Sequence, residues 1–468
     1  MADISNATTS KPQGFFRGWW MVIGGFLIMA TCYTIFVNCI PIFQSHMVAD
    51  LRVNVSQFNL GVSLCTIMAI FASLLFGRLA DKASIRLLSG ITVIVSSLVL
   101  VLFSFVQEIW QFYVLCLVAG LIVVAGTRLL ISVLTTNWFN LRRGLAISIA
   151  LSGSGAGGVL LSPLISAMIV HYGWRPAFLL LAVICLACAL PIALIFFRNR
   201  PSDVGLQPYG AGQSEQAVVD RSPDPNVDIA IGWKILGKNA GFWVMILGFI
   251  MMGVINGAII TNSVTNMTSV TLGDQVIITG GHDAIWAGNV WSLYLGVVIV
   301  AKISLGAIYD RFGLRAGTIL GTVTCVIAAI ALCFPTTDFG PIIAAVAFGF
   351  GTCMGTVTPP VMAVKLYGKK DIGLITGVLT AFQLLGAAGG AVLSGLLFDH
   401  FHTFVPAWIM ALIAALLMGL ALLVAIPIAH HLVEHCRECG ALLLDEDGRE
   451  IPATPAPAPP VAADDGQV

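Results

Sequence analysis

The 468-residue sequence predicts an all-α membrane protein with twelve transmembrane helices in two six-helix bundles. Three observations carry that expectation. Apolar stretches of about 20 residues, enough to cross a bilayer as helix, recur along the chain. Hydrophobic residues make up 58% of the sequence and charged ones 10%, outside the range of water-soluble domains. Finally, one polar loop occurs twice: GRLADKASIR (77–86) and GAIYDRFGLR (306–315) pair Gly77 with Gly306, Asp81 with Asp310, Lys82 with Arg311 and Arg86 with Arg315. A charged tight turn repeated once per half, each time after an apolar run, marks a membrane protein built by internal duplication.

Spans are expected near 18–42, 56–77, 87–106, 111–136, 145–169 and 176–197, and again near 242–270, 286–308, 316–334, 340–363, 372–397 and 405–429. The first apolar run is too long, and too poor in a cleavage-type end, for a removable signal peptide, so it is span one. The domain organisation follows: a polar tail (1–16), an N-terminal bundle (17–197), a Pro-, Gly- and charge-rich linker (198–241), a C-terminal bundle (242–430) and a tail (431–468). An acidic patch (Asp445, Glu446, Asp447) followed by ATPAPAPP makes that tail disordered by composition. Small residues crowd spans five (SGSGAGG, 152–158) and eleven (GAAGGA, 386–391), corresponding positions of the two halves. Such runs serve tight packing or a sliding interface equally well.

Lys and Arg orient the chain, because they resist translocation. Nineteen of the 23 lie on the side of the N-terminus, and only Arg52 and Arg175 lie opposite. Both termini are therefore expected in the cytoplasm of a multi-pass cell-membrane protein. The net charge is zero and no basic patch suits nucleic acid. Nine of eleven cysteines sit in or near spans, where they pack as small apolar groups.

The two remaining cations, Arg128 and Lys302, fall inside spans four and eight, while no acidic residue does. Both lie roughly 12–14 Å in from the boundary on the N-terminal side, at similar depth. A charge at that depth costs at least about 2.5–3.5 kcal/mol. Without an internal counter-ion, the pair implies a cavity that receives a small organic anion. Snorkelling over about 12 Å exceeds the reach of a lysine stem.

The repeated loop resembles the signature of the major facilitator superfamily, Gly-x-x-x-Asp-(Arg/Lys)-x-Gly-x-(Arg/Lys), with Ser84 in place of the first loop's second Gly. GWW (18–20), NWFNLRRGLA (137–146), GWRPAF (173–178) and RPSDVGLQPYG (200–210) resemble its monocarboxylate porters and bacterial oxalate–formate exchangers. The resemblance implies the major facilitator fold. It also implies that Lys302 in AKISLG holds a substrate carboxylate, with Arg128 taking the role of a second cation. Asn38 and Val298 replace a lysine and an aspartate of proton-coupled members, which leaves antiport and proton symport both open. It further implies a gate in which Asp81, with Arg142, caps the start of span eleven. Asp310, beside Arg311, would cap the start of span five.

Tyr33 and Asn38 on span one are the preferred secondary substrate contacts among the polar residues in spans. Cys436-Arg-Glu-Cys439, near three histidines, offers half of a zinc-type site. No Walker loop, nucleophile elbow or HExxH is present, so no enzyme and no cofactor are expected. The functional expectation is a monomeric alternating-access carrier of small organic carboxylates in the lipid bilayer. A non-transporting anion sensor and a carrier of uncharged compounds are the rivals.

Overall fold

Among the described residues, eleven helices are long and apolar enough to cross a membrane, and one of them is two spans joined end to end. The computed structural model describes residues 16–82, 84–139, 143–209, 236–237, 239–272, 275–367 and 372–438, with short pairs at 443–444 and 450–451. Side chains are described outside 73–83, 124–125, 140–144, 368–373 and the stretch beyond 431. Spans one to six are Gly18–Leu51, Val55–Lys82, Ile85–Ser104, Ile109–Trp138, Arg143–Tyr172 and Trp174–Ile195. Span seven is Ala240–Met267. Helix Ala284–Leu332 divides at Gly313 (φ 82°, ψ 175°) into spans eight and nine. Spans ten, eleven and twelve are Phe339–Tyr367, Ile372–Phe401 and Val405–Glu438. Twelve spans result, as the hydropathy and the repeat require.

The two copies of the repeated loop turn differently, for a stereochemical reason. Gly313 occupies the left-handed region that glycine tolerates best. Its counterpart Ser84 sits at φ −69°, ψ 119°, an extended conformation open to any residue, and leads into span three. Asn199 stabilises that start, its Oδ1 accepting from the Ile85 N–H at 2.9 Å. The Asn199 carbonyl accepts from Asn137 Nδ2 (3.2 Å), and the Arg198 carbonyl from Trp138 Nε1 (3.0 Å). The Tyr209 N–H donates to the Trp138 carbonyl (2.9 Å), and its ring packs on Phe16 and Phe139. The NWF and RPSDVGLQPYG segments thus form one collar that ties the linker's first residues to spans one, three and four.

Two features depart from the expected boundaries. Span seven ends at Met267, and Ser269–Leu272 pairs antiparallel with Gln275–Ile278 in a hairpin lying against the far end of span one. The last helix runs through Glu438, past the boundary placed at 430.

The glycines of spans five and eleven serve close backbone approach. A methyl at Gly153 or Gly157 would overlap the backbone of Phe26 or Ala30 on span one. In the other half, Gly386 and Gly390 meet the backbone of Ile250 and Val254 on span seven in the same way. Gly253 and Gly257 return the contact, against the carbonyls of Gln383 and Ala387. The opposite faces of the same helices meet the other bundle. Gly155 and Gly158 lie against Ile299 and Leu295 of span eight, and Gly395 against Ser56 of span two. Packing within a bundle and contact between bundles therefore use different faces of each glycine-rich helix.

The side bearing the N-terminus, the linker and the C-terminus is here called the terminal face, and the other the far face. Among the described residues, every side-chain hydrogen bond between bundles lies at mid-membrane or toward the far face. Gln44 and Asn59 of the N-terminal bundle both donate to Asn262 Oδ1 of span seven, at 3.1 and 3.0 Å. Asn262 in turn donates to Ser394 Oγ (2.8 Å). Asn59 and Ser63 also donate to the Ala391 and Ala388 carbonyls (both 2.8 Å). All five side chains are buried, so the far side is sealed by a satisfied polar network.

The glycine packing predicts that Gly390→Ala lowers the stability of the detergent-solubilised protein by about 1–3 kcal/mol, the usual cost of overpacking. Gly389→Ala, one residue away with nothing within 4 Å of the added methyl, leaves the melting temperature unchanged. Equal melting of the two variants would contradict this packing.

Candidate anion site

Arg128 lies on span four directly after a π-helical turn at Ala119–Val124, and its side chain is exposed. In the middle of a span an exposed guanidinium needs water or a counter-ion, since hydrocarbon would leave it bare. Lys302, on span eight of the other bundle, is half-buried. Lys302 lies near enough to Arg128, and to the Cys353 thiol of span ten, for their charges to interact. Cys353 is anchored through Sγ to the Gly349 carbonyl (3.1 Å). The two cations thus stand on spans of different halves.

Span one has irregular backbone. It carries two π-helical turns, Met29–Tyr33 and Ile35–Cys39, and the preferred contacts Tyr33 and Asn38 fall one in each. Such turns are rare and often accompany functional sites. Tyr33 is half-buried. Asn38 has a structural role: its Nδ2 donates to the Ser154 carbonyl (3.2 Å), and its own carbonyl accepts from Trp291 Nε1 of span eight (2.7 Å). Asn38 therefore stands where three spans and both bundles meet.

Deeper in the C-terminal bundle, Thr352 donates to Asn256 Oδ1 (3.0 Å), while the amide nitrogens of Asn256 and Gln383 crowd the space over Gly355. Asn256 and Gln383 are legible as polar residues within spans. Trp291, Thr352 and Cys353 carry no local sequence signal that separates them from core packing.

No described carboxylate lies within the middle of a span; each stands in a loop or near a span end. A guanidinium offers a planar fork that can bind a carboxylate in bidentate fashion, and an ammonium adds a compact point charge. An anion between them would touch both bundles at once.

Of the residues expected to form a gate, Asp81, Asp310 and Arg311 lie at or near the terminal ends of spans two and eight. Asp310 is largely exposed and faces Lys365 of its own bundle (3.5 Å), which also donates to the Tyr309 carbonyl (2.8 Å). The Arg311 guanidinium lies over the Phe312 ring at 5.5 Å. Asp81 is in the last turn of span two, but its side chain and Arg142 lie outside the described residues. So does Cys439, with the side chain of Cys436. Among the described residues no cluster of three His, Cys, Asp or Glu could hold a metal.

Comparison with known proteins agrees with this architecture. The chain is 24% identical over 402 residues to the MFS-type transporter pynF of Aspergillus niger, covering 82% of each chain. It is 24% identical over 447 residues to monocarboxylate transporter 12 of Rattus norvegicus, covering 88% of this chain and 87% of the relative. Among solved structures, a bacterial homologue of the human lysosomal transporter Spinster, in an inward-facing and unoccupied conformation, superposes with a TM-score of 0.61. That alignment has 14% identity and covers 92% of this chain and 98% of the other. The family model described as Major Facilitator Superfamily matches residues 21–335 and 266–438. With twelve spans in two bundles, a repeated charged loop and a family match over most of its length, the chain belongs to the Major Facilitator Superfamily, whose members are membrane transporters.

Proposed function

We propose that the protein carries small organic carboxylates across the cell membrane by alternating access, with Arg128 and Lys302 binding the carboxylate. The observation that carries this reading is the pair of like charges, one per bundle, with no described acid in the membrane interior. Each needs a counter-charge in a medium that penalises bare ions, and the substrate supplies it. The resemblance to monocarboxylate porters and the similarity to monocarboxylate transporter 12 point to the same substrate class.

The uneven distribution of Lys and Arg puts the terminal face, with both termini, in the cytoplasm. On that orientation the far-side polar network supports an inward-facing resting state, with Arg128 reached from the cytoplasm. In the outward-facing state Asp81 and Arg142 close the cytoplasmic side against span eleven, and Asp310 leaves Lys365 for the start of span five. A carboxylate at a helix N-terminus favours that closed arrangement by roughly 0.3–1 kcal/mol. The substrate moves as an exchanged anion or together with a proton.

Lys302→Gln is expected to abolish uptake of radiolabelled carboxylates into proteoliposomes while leaving expression and monodispersity intact. Lys302→Arg retains partial uptake, because charge survives with altered geometry. Near-normal uptake by the Gln variant would remove Lys302 from the site. Binding without any uptake by the unmodified protein would identify a sensor rather than a carrier.

If Arg128 and Lys302 share one substrate molecule, a double-mutant cycle on carboxylate binding shows coupling of about 0.5–3 kcal/mol. Strict additivity would assign Arg128 a structural role.

Replacing Asp81 or Asp310 with Asn is expected to slow turnover more than it weakens binding, because the gate acts on the conformational equilibrium. Titrations compared with initial rates check this, and lost affinity at an unchanged maximal rate would contradict it.

A further inference from the structure

The far-face seal contains one charged contact between bundles that neither the repeat nor the anion site explains. Asp399 lies near the end of span eleven and is half-buried. Its Oδ1 accepts from the Val55 N–H and its Oδ2 from the Ser56 N–H, both at 3.1 Å. Those are first-turn amides of span two, a 28-residue helix in the other bundle. They are among the N–H groups a helix start leaves without partners, and the carboxylate also meets the positive end of the helix dipole.

The approach that brings them together is built in. Gly395, one turn before Asp399, lets the Ser56 backbone come close: a Cβ there would lie 2.7 Å from Ser56 Cα and 2.9 Å from its nitrogen. Further along the same pair, Asn59 and Ser63 donate to span eleven carbonyls. Spans two and eleven are therefore joined from mid-membrane to the far face, and the charged cap lies at the outermost end.

We propose that Asp399 is the latch of the far-face gate and the counterpart of Asp81. The two spans run antiparallel, each has an Asp in its last turn, and each Asp stands at the level where its partner helix begins. Asp399 caps span two when the far face is shut. Asp81, on the gate reading given above, caps span eleven when the terminal face is shut. Because the same two helices part at one face as they close at the other, the two caps alternate, and their difference biases the resting conformation.

Spin labels attached through a non-cysteine handle at Gln107 and Thr336, exposed far-face loop residues of the two bundles, read the far-face opening directly. In the unmodified protein in nanodiscs the short separation dominates. Asp399→Asn shifts the closed-to-open ratio toward open by roughly 2- to 30-fold, the range for a lost helix cap. Gly395→Ala does the same by spacing the helices without touching the carboxylate, which keeps the test decisive if the Asn variant folds poorly. Asp81→Asn shifts the ratio toward closed, and the Asp81→Asn/Asp399→Asn pair returns toward the unmodified distribution. Unchanged distances in both Asp399→Asn and Gly395→Ala overturn the latch. Opening by Asp399→Asn without an opposing effect of Asp81→Asn overturns the alternation, and the Asp81 gate with it, whereas the far-face latch survives.

Discussion

The bilayer's intolerance of unneutralised charge is the constraint around which this structure is organised. A midplane cation on each bundle, with no described carboxylate at that depth, can persist only beside water or a bound anion. The helices therefore cannot close around Arg128 as they close around the neutral polar groups nearer the far face. Gln44, Asn59, Asn262 and Ser394 satisfy one another and permit a dry seal. The boundary between sealed and open halves thus follows from which polar groups find partners inside the protein.

Within each bundle, backbone-to-backbone contact replaces the hydrophobic driving force that lipid cannot supply. Spans one and five, and their counterparts seven and eleven, approach until glycine α-carbons sit under carbonyl oxygens. That leaves the opposite faces of five and eleven free for the other bundle. One helix thereby holds a close internal contact on one face and an inter-bundle contact on the other, an arrangement suited to the alternating access proposed above.

Much of this was legible in the sequence because bilayers impose simple rules. Hydropathy and the repeated loop located the spans, and the distribution of charged residues singled out Arg128 and Lys302 before any geometry was known. The polar partners of the far-face seal were hidden for a different reason. Asp399 reads as an ordinary acid at a span end, and its partners lie 344 and 343 residues away. Asn262 shows as a polar residue in a span, but not that Gln44 would reach it. The hairpin did leave a signal, since Val270, Thr271, Val276 and Ile277 flank a Gly-Asp dipeptide in the sequence. Their apolar character merged with the end of span seven. The π-helical turns left none: MATCY and IFVNC contain neither Pro nor Gly.

Those turns set the phase of span one. A π turn holds a surplus residue relative to regular helix, and one residue of α-helix corresponds to about 100° of rotation. Everything beyond Cys39 is therefore turned relative to the first half of the span, and Gln44 meets Asn262 only because that offset is present. Tightening one bulge to regular helix at unchanged length would swing Gln44 out of the seal, whereas deleting the surplus residue would remove the bulge and leave Gln44 in place. Span one thus behaves as a crankshaft, in which the winding beside Tyr33 and Asn38 fixes the angle presented at its far end.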